Sequence, residues 1–279
     1  MTTLRNRALG PGIGLRAPHI AAFQALRPAV SFVEVHAEHH LGGGFMRRAL
    51  RDIRRDYPIS LHCVGLSIGS TEGVDENHLL RVRTLADEID PFLISDHLSV
   101  SKLAGVYAND FIPIPYSRDA LWLAARHIDR IQECLGRAIL VENPSHYIAY
   151  AGVEMDEGEF LTTLAARTGC RILCDVNNIY VSARNLGRDA HAELAQFPAG
   201  AIGEIHVAGH ATEEDGRLLI DTHDRPACND VLALYATAKK RFVDVPSLFE
   251  WDNALPGLEV LLGEARRMEE YHEDVHGHA

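Results

Sequence analysis

The chain has 279 residues, 47% of them hydrophobic, enough to build a sizeable core without disulfide staples. Its 27 basic against 39 acidic residues give a formal net charge of -12, a poor match for a phosphate backbone, so no nucleic-acid partner is favoured. No apolar run approaches the roughly eighteen residues of a membrane span, and Met1–Pro11 lacks a secretory signal's hydrophobic stretch, so the expectation is a cytoplasmic protein with no membrane partner.

Short β-prone stretches alternate with helical patterns, beginning with GIGLR (Gly12–Arg16) and VSFVEVH (Val30–His36). A glycine-rich loop, Leu41–Phe45, leads towards ISLHCV (Ile59–Val64). His78–Ile89 places Leu79, Val82, Leu85, Ala86 and Ile89 on one helical stripe, and FLISDH (Phe92–His97) follows. After the long connection Leu98–Tyr116 come a helix over Ala120–Leu135 and the strand AILVEN (Ala138–Asn143). Asp156 with Glu159 marks the start of a helix over Glu159–Thr168, and Gly136 and Gly169 suit helix stops. RILCDVN (Arg171–Asn177), AIGEIHV (Ala201–Val207), the connection Ala208–Arg225, a helix over Asp230–Lys240 and VPSLFEW (Val245–Trp251) complete the series.

Eight strand–helix units in this length predict an α/β fold of the (β/α)8 TIM-barrel class, one catalytic domain over residues 1–270, with a flexible tail at 271–279 containing HEDVHGHA. GPGIGLR lacks a preceding strand and the rest of the dinucleotide fingerprint. No Walker A, HExxH or GxSxG pattern is present, so serine acyl transfer and zinc-protease chemistry lose their clearest supports. The five cysteines form no CxxC pair; Cys134 and Cys170 read as small core residues, and Cys63 and Cys174 as packing beside the strand ends.

Polar residues at the carboxyl ends of barrel strands converge on one mouth. Here those ends carry His62, His97, Glu142, Asp175, His206 and Glu250, a mixed nitrogen and oxygen donor set suited to metal. Without cations such a carboxylate cluster suffers repulsion and desolvation. After strand seven, His206 and His210 flank a turn, and Asp221 and His223, two residues apart, share a face if that segment is extended. Asn177 offers a carbonyl ligand or a turn, and Glu34, Glu38 and His39 stand near the end of strand two, where they could orient ligands or face solvent.

The ordered series GIGLRAPH, FVEVHAEHH, LHCVGLSIGS, ISDHLS, PIPY, VENPSHY, RTGCRILCDVNNIYVSARN, EIHVAGH, LIDTHDRP and FEWD resembles the DUF692 (UPF0276) family over nearly the whole chain. That family includes methanobactin-biosynthesis and bufferin-type peptide-modifying enzymes and belongs to the xylose-isomerase-like barrels. The resemblance implies two or three iron ions in mixed Fe(II)/Fe(III) valence, with O2 as co-substrate. It puts His62, His97 and a bridging Glu142 on one ion, and Glu142, Asp175, His206 and Glu250 on the next. Asn177, His210, Asp221 and His223 would surround a third position.

The implied reaction is oxidative modification of cysteine in a ribosomally made precursor peptide, giving an oxazolone with thioamide or a thiooxazole-type product. A separate protein would help to recognise that peptide. Two other readings remain open from the residues: a metal-dependent sugar isomerase or phosphodiester hydrolase, and a non-catalytic metal-supported scaffold for peptide maturation.

Overall fold

The computed structural model describes residues 10–276, with no side chains described for Asn109 or for residues 272–276. Its centre is a closed barrel in the order β1-β12-β9-β8-β7-β4-β3-β2. The strands are β1 (Gly12–Gly14), β2 (Val33–His36), β3 (Ile59–His62), β4 (Leu93–His97), β7 (Leu140–Glu142), β8 (Arg171–Asp175), β9 (Ile202–Val207) and β12 (Ser247–Phe249). Neighbouring strands pair in parallel all the way round. Each lies inside the stretch that the sequence marks for it.

The helices form because their apolar residues recur at helical spacing and their ends are capped. Helix α3 (Glu76–Ile89) starts at Asp75, whose carboxylate accepts from the amides of Asn77 and His78, and it buries Leu79, Val82, Leu85, Ala86 and Ile89. Each fully buried Leu, Val or Ile contributes about 1.5–3 kcal/mol of transfer free energy. In the same way Ser117 caps α4 (Arg118–Leu135), and Asp156 accepts from the Glu159 amide at the start of α5 (Glu157–Thr168). Gly136 and Gly169 end those two helices in the left-handed region, as their positions predict. Around the remaining strands lie α1 (Ile20–Leu26), α2 (Gly44–Arg54), α7 (Ala190–Gln196) and α8 (Asn229–Arg241).

Three segments depart from the sequence reading. The connection Leu98–Tyr116 contains an antiparallel hairpin, β5 (Ser99–Leu103) with β6 (Val106–Pro113), and Ala208–Arg225 contains a shorter one, β10 (Ala211–Thr212) with β11 (Leu219–Ile220). Strand β8 stops at Asp175, and a helix, α6 (Val176–Leu186), begins at once. Asp175 is the cap of that helix, accepting from the Asn178 amide at 2.7 Å, so Asn177 lies in a first helical turn rather than at a strand end.

The last helix, α9 (Leu258–His276), runs into the segment read as a tail; residues 277–279 of that tail lie outside the described residues. Among the described residues no helix is long and apolar enough to cross a membrane.

Candidate metal centre

Strand register sets the site. His36 stands opposite His62, His97 opposite Glu142, and Asp175 opposite His206. Two residues earlier on three of these strands, the period-two alternation turns Glu34, Ser60 and Glu204 into the same interior one layer deeper. The result is a buried stack of imidazoles and carboxylates at the carboxyl-terminal mouth.

Glu142 lies at its centre with no accessible surface. One of its oxygens is 3.4 Å from both His62 Nε2 and His97 Nε2, and the ligand atoms of these three residues lie within 4.8 Å of one another. Glu142 also belongs to a second such group with Asp175, His206 and Glu250. Among the described residues neither Glu142 oxygen has a hydrogen-bond partner, nor have Asp175 Oδ2, His97 Nδ1 and one oxygen each of Glu34 and Glu204. Buried carboxylate oxygens are otherwise almost always satisfied. The donor set and its orphaned atoms fit divalent or trivalent cations held between nitrogen and oxygen ligands.

The electrostatics agree. Burial, reinforced by Asp175, Glu250 and Glu34 against the relief from His206, pushes Glu142 well above the usual carboxylate range. Burial likewise pushes Asp175 up to about 7, and burial beside Glu34 pushes Glu204 up to about 8. His206 experiences the opposite balance. Burial would lower it, but Glu34 at 3.0 Å from Nε2 and Glu250 at 3.2 Å from Nδ1 hold it well above the ordinary imidazole value. His62 is held low by burial and by His97, which leaves its Nε2 lone pair available while Nδ1 meets the Ser95 hydroxyl at 2.7 Å.

All six strand-end residues singled out by the sequence therefore meet at one place. His223 joins them with Glu250 and Asp252. Its proximity to Asp221, 2.8 Å from Nε2 to Oδ1, arises from a left-handed backbone at His223 (φ 45°), not from the extended segment the spacing suggested. Asn177, His210 and Asp221 form a hydrogen-bonded chain rather than a compact ligand group. His210 Nδ1 lies 2.8 Å from Asn177 Oδ1, and Asn177 Nδ2 donates to Asp221 Oδ1 at 2.7 Å. Glu38 is held by His78 Nε2 at 2.9 Å and by the Val64 amide, and His39 is exposed.

Reading strand ends alone misses Arg16, Asp252, His36 and Glu204. Arg16, 3% exposed, donates to Glu250 at 2.8 Å and to Asp252 at 2.7 Å, and it stands 3.9 Å from Glu34. Although burial raises it, Asp252 is brought down to about 2, chiefly by Arg16. His36 reaches a group with His62 and Glu250. Their common signal was position: each sits on, two residues before, or two after a marked strand end.

Above the cluster is a cleft of about 160 Å³ lined by His36, His97, Phe111, Tyr147 and Asp221, among others. Phe111, from the β5–β6 hairpin, stacks on His97 with ring centroids 3.6 Å apart and planes at 11°. Gly209 lets the other hairpin segment pass: a Cβ there would meet the Arg225 carbonyl oxygen at 2.1 Å. Cys63 and Cys174 are buried, and burial pushes both thiols well up, in keeping with a packing role.

Fold and site together define a xylose-isomerase-like TIM barrel with a cluster of imidazoles and carboxylates at its mouth that could hold metal. The chain belongs to the family described as RiPP precursor modification enzyme MbnB/TglH/ChrH, whose profile matches residues 10–273. A UPF0276 protein of Anaeromyxobacter sp. is 46% identical over 95% of this chain and 93% of its own length. One from Rhizorhabdus wittichii is 47% identical over 91% of each.

Solved structures share the fold at low identity. A D-psicose 3-epimerase from Clostridium cellulolyticum aligns with a TM-score of 0.65 at 8% identity over 96% of this chain and 99% of its own. A xylose isomerase-like barrel protein from Mycobacterium smegmatis, in complex with magnesium, aligns with a TM-score of 0.59 at 11% identity over 96% and 97%.

Proposed function

We propose that this chain is an iron-dependent, O2-consuming enzyme that oxidatively modifies cysteine in a ribosomally synthesised precursor peptide, with residues 1–270 as its single catalytic domain. The observation that carries the reading is Glu142: fully buried, with both oxygens unpartnered, and shared between the two ligand groups. His62, His97 and Glu142 would hold one ion, and Glu142, Asp175, His206 and Glu250 a second. His223 would hold a third with Glu250 and Asp252, the chain Asn177–His210–Asp221 orienting its imidazole.

Bound iron supplies the redox chemistry that acid–base side chains lack. The protein's own residues do the rest. Glu34 accepts from His206 Nε2–H and so presents Nδ1 to the centre, while Ser95 does the same work on His62 Nδ1. Arg16 neutralises part of the carboxylate charge and fixes Glu250 and Asp252. Phe111 covers the His97 ring, and the hairpin that carries it shields the cleft from water. The thiol comes from the peptide, because Cys63 and Cys174 have no access to solvent.

A separate recognition protein would deliver the peptide. The family match supports peptide modification; the mixed histidine and carboxylate ligands support a redox-active first-row metal.

The test is anaerobic loading with Fe(II), addition of a cysteine-containing precursor peptide encoded beside the gene, and an oxygen pulse followed by intact-mass measurement. Peptide-dependent oxygen uptake with a mass change at cysteine is expected. Unmodified peptide with the metal sites full and binding verified would refute the reaction, and sugar epimerisation or DNA cleavage by the same preparation would favour a Lewis-acid role.

A further inference from the structure

The loop after β7 is a wall between two cavities. Pro144, Ser145 and Tyr147 line the metal cleft, while His146, Ile148, Ala149 and Tyr150 line a second cavity of about 380 Å³ on the other side. That volume falls at the lower end of small-ligand sites. The wall is fixed in place: the His146 amide donates to Ser182 Oγ at 2.8 Å, the Tyr150 hydroxyl donates to the Pro113 carbonyl at 2.8 Å, and Tyr147 accepts from the Asp221 amide at 3.2 Å.

The second cavity has mainly apolar sides, with Asp156, Arg188 and Glu193 also in its lining, and a polar floor. Ile148, Val153, Met155 and Leu186 contribute the sides. On the floor Tyr116 donates to Glu157 at 2.5 Å and lies 3.0 Å from His146 Nε2, all three residues being buried. Burial, with Glu157 beside it, raises the Tyr116 phenol well above its ordinary value and keeps it a neutral hydrogen-bonding group. None of these residues belongs to the ligand groups. At the entrance Ile148 is 64% and Val153 47% exposed, and Ile112, next to Phe111 on the hairpin, is 42% exposed. The Tyr150–Pro113 hydrogen bond ties the hairpin that carries Phe111, in the metal cleft, to the loop that lines the second cavity.

We propose that this second cavity is a side-chain subsite for the precursor peptide, taking an aromatic or long aliphatic residue that neighbours the cysteine in the metal cleft. This rests on the peptide-modifying reading given above. A chain with side chains on both faces is about 10 Å thick, and an extended peptide advances about 3.3–3.6 Å per residue, so the anchor stands roughly two to four residues from the cysteine. Apolar sides with a polar floor suit tyrosine or tryptophan best, since each has an apolar body and a hydrogen-bonding tip. The subsite would set which cysteine of a peptide is presented.

The test measures binding and turnover separately on the iron-loaded full chain, with the same precursor peptide, fluorescently labelled for anisotropy. Ala149→Trp fills the cavity entrance and Ile148→Ser strips its apolar rim; both positions are exposed, and thermal midpoint and metal content serve as controls. Each substitution is expected to weaken peptide binding about tenfold and to leave kcat within about twofold. Tight binding by both variants with normal conversion would overturn the subsite and leave the peptide-modifying reading standing. Binding that falls in the variants, of a peptide that the wild-type chain never converts, would support the subsite and refute the reaction. A peptide neither bound nor converted would overturn both.

Discussion

Replacing Glu142 with glutamine gives opposite results for a metal-bridging carboxylate and for a structural one. In the metal-free chain Glu142 is a buried acid with no hydrogen-bond partner, raised well above its ordinary pKa by burial and by Asp175, Glu250 and Glu34. An unsatisfied buried polar group costs about 1–3 kcal/mol, more when charged, so above the raised value the ionised Glu142 carries that larger cost, whereas an amide of the same shape stays neutral. Metal-free Glu142→Gln is therefore expected to unfold about 2–8 °C above the metal-free wild type. With iron present the order reverses, because the amide cannot bridge two cations and the variant loses ions from both groups.

Differential scanning calorimetry of stripped and loaded protein, with metal quantified in each sample, reads both signs. The pH dependence sharpens it. An acid with a raised folded pKa contributes stability that is complete below its unfolded value and lost as pH rises through the folded value. Asp175 at about 7 and Glu204 at about 8 act this way, and so do His206 and His223, whose folded values are also raised. His62 and His40, both lowered, act in the other direction only below their ordinary value of 6.5. The stripped wild type should lose stability from about pH 6.5 to about 8, and metal should stabilise it increasingly over that window because its ligands must be deprotonated. A variant that is less stable when stripped and keeps its full metal content would refute the bridging role.

Three further substitutions follow from the same geometry. Glu34→Gln exchanges the charged acceptor of His206 Nε2–H for a neutral amide that can also turn its NH2 towards the ring, and should weaken metal binding about 10–100-fold by equilibrium dialysis, with the fold intact by circular dichroism. Phe111→Ala loses a ring stacked at 3.6 Å on His97; metal content should hold while turnover falls about three- to tenfold, read by product mass. Gly209→Ala forces a Cβ against the Arg225 carbonyl and the adjoining chain, and should cost about 1–3 kcal/mol in denaturant unfolding. It should also loosen His223, whose amide donates to the Gly209 carbonyl at 3.0 Å.

The barrel and the convergence of its strand-end imidazoles and carboxylates were legible because both rest on short-range rules. Strands announce themselves by β-prone runs between turns, and the last inward-facing residue of each reaches the mouth whatever the loops do; hence His62, His97, Glu142, Asp175, His206 and Glu250. Less legible was whatever depends on contacts distant in sequence. Arg16 and Asp252 are 236 positions apart, and nothing local to either predicts their pairing. Val176 and Asn177 read as the end of the strand RILCDVN, yet the Asp175 cap turns them into the first turn of α6. The spacing of Asp221 and His223 pairs them on an extended backbone, whereas a left-handed residue, which no spacing rule anticipates outside glycine, stands at His223.

The central claim is that the buried imidazoles and carboxylates of the barrel mouth hold adjacent metal ions around Glu142. Anomalous X-ray diffraction at the iron edge, from protein purified and crystallised without oxygen, tests it most directly. At least two anomalous peaks flanking the Glu142 carboxylate are expected, one beside His62 and His97 and one beside Asp175, His206 and Glu250. Strong peaks located elsewhere on the chain, with none at this carboxylate, would contradict it.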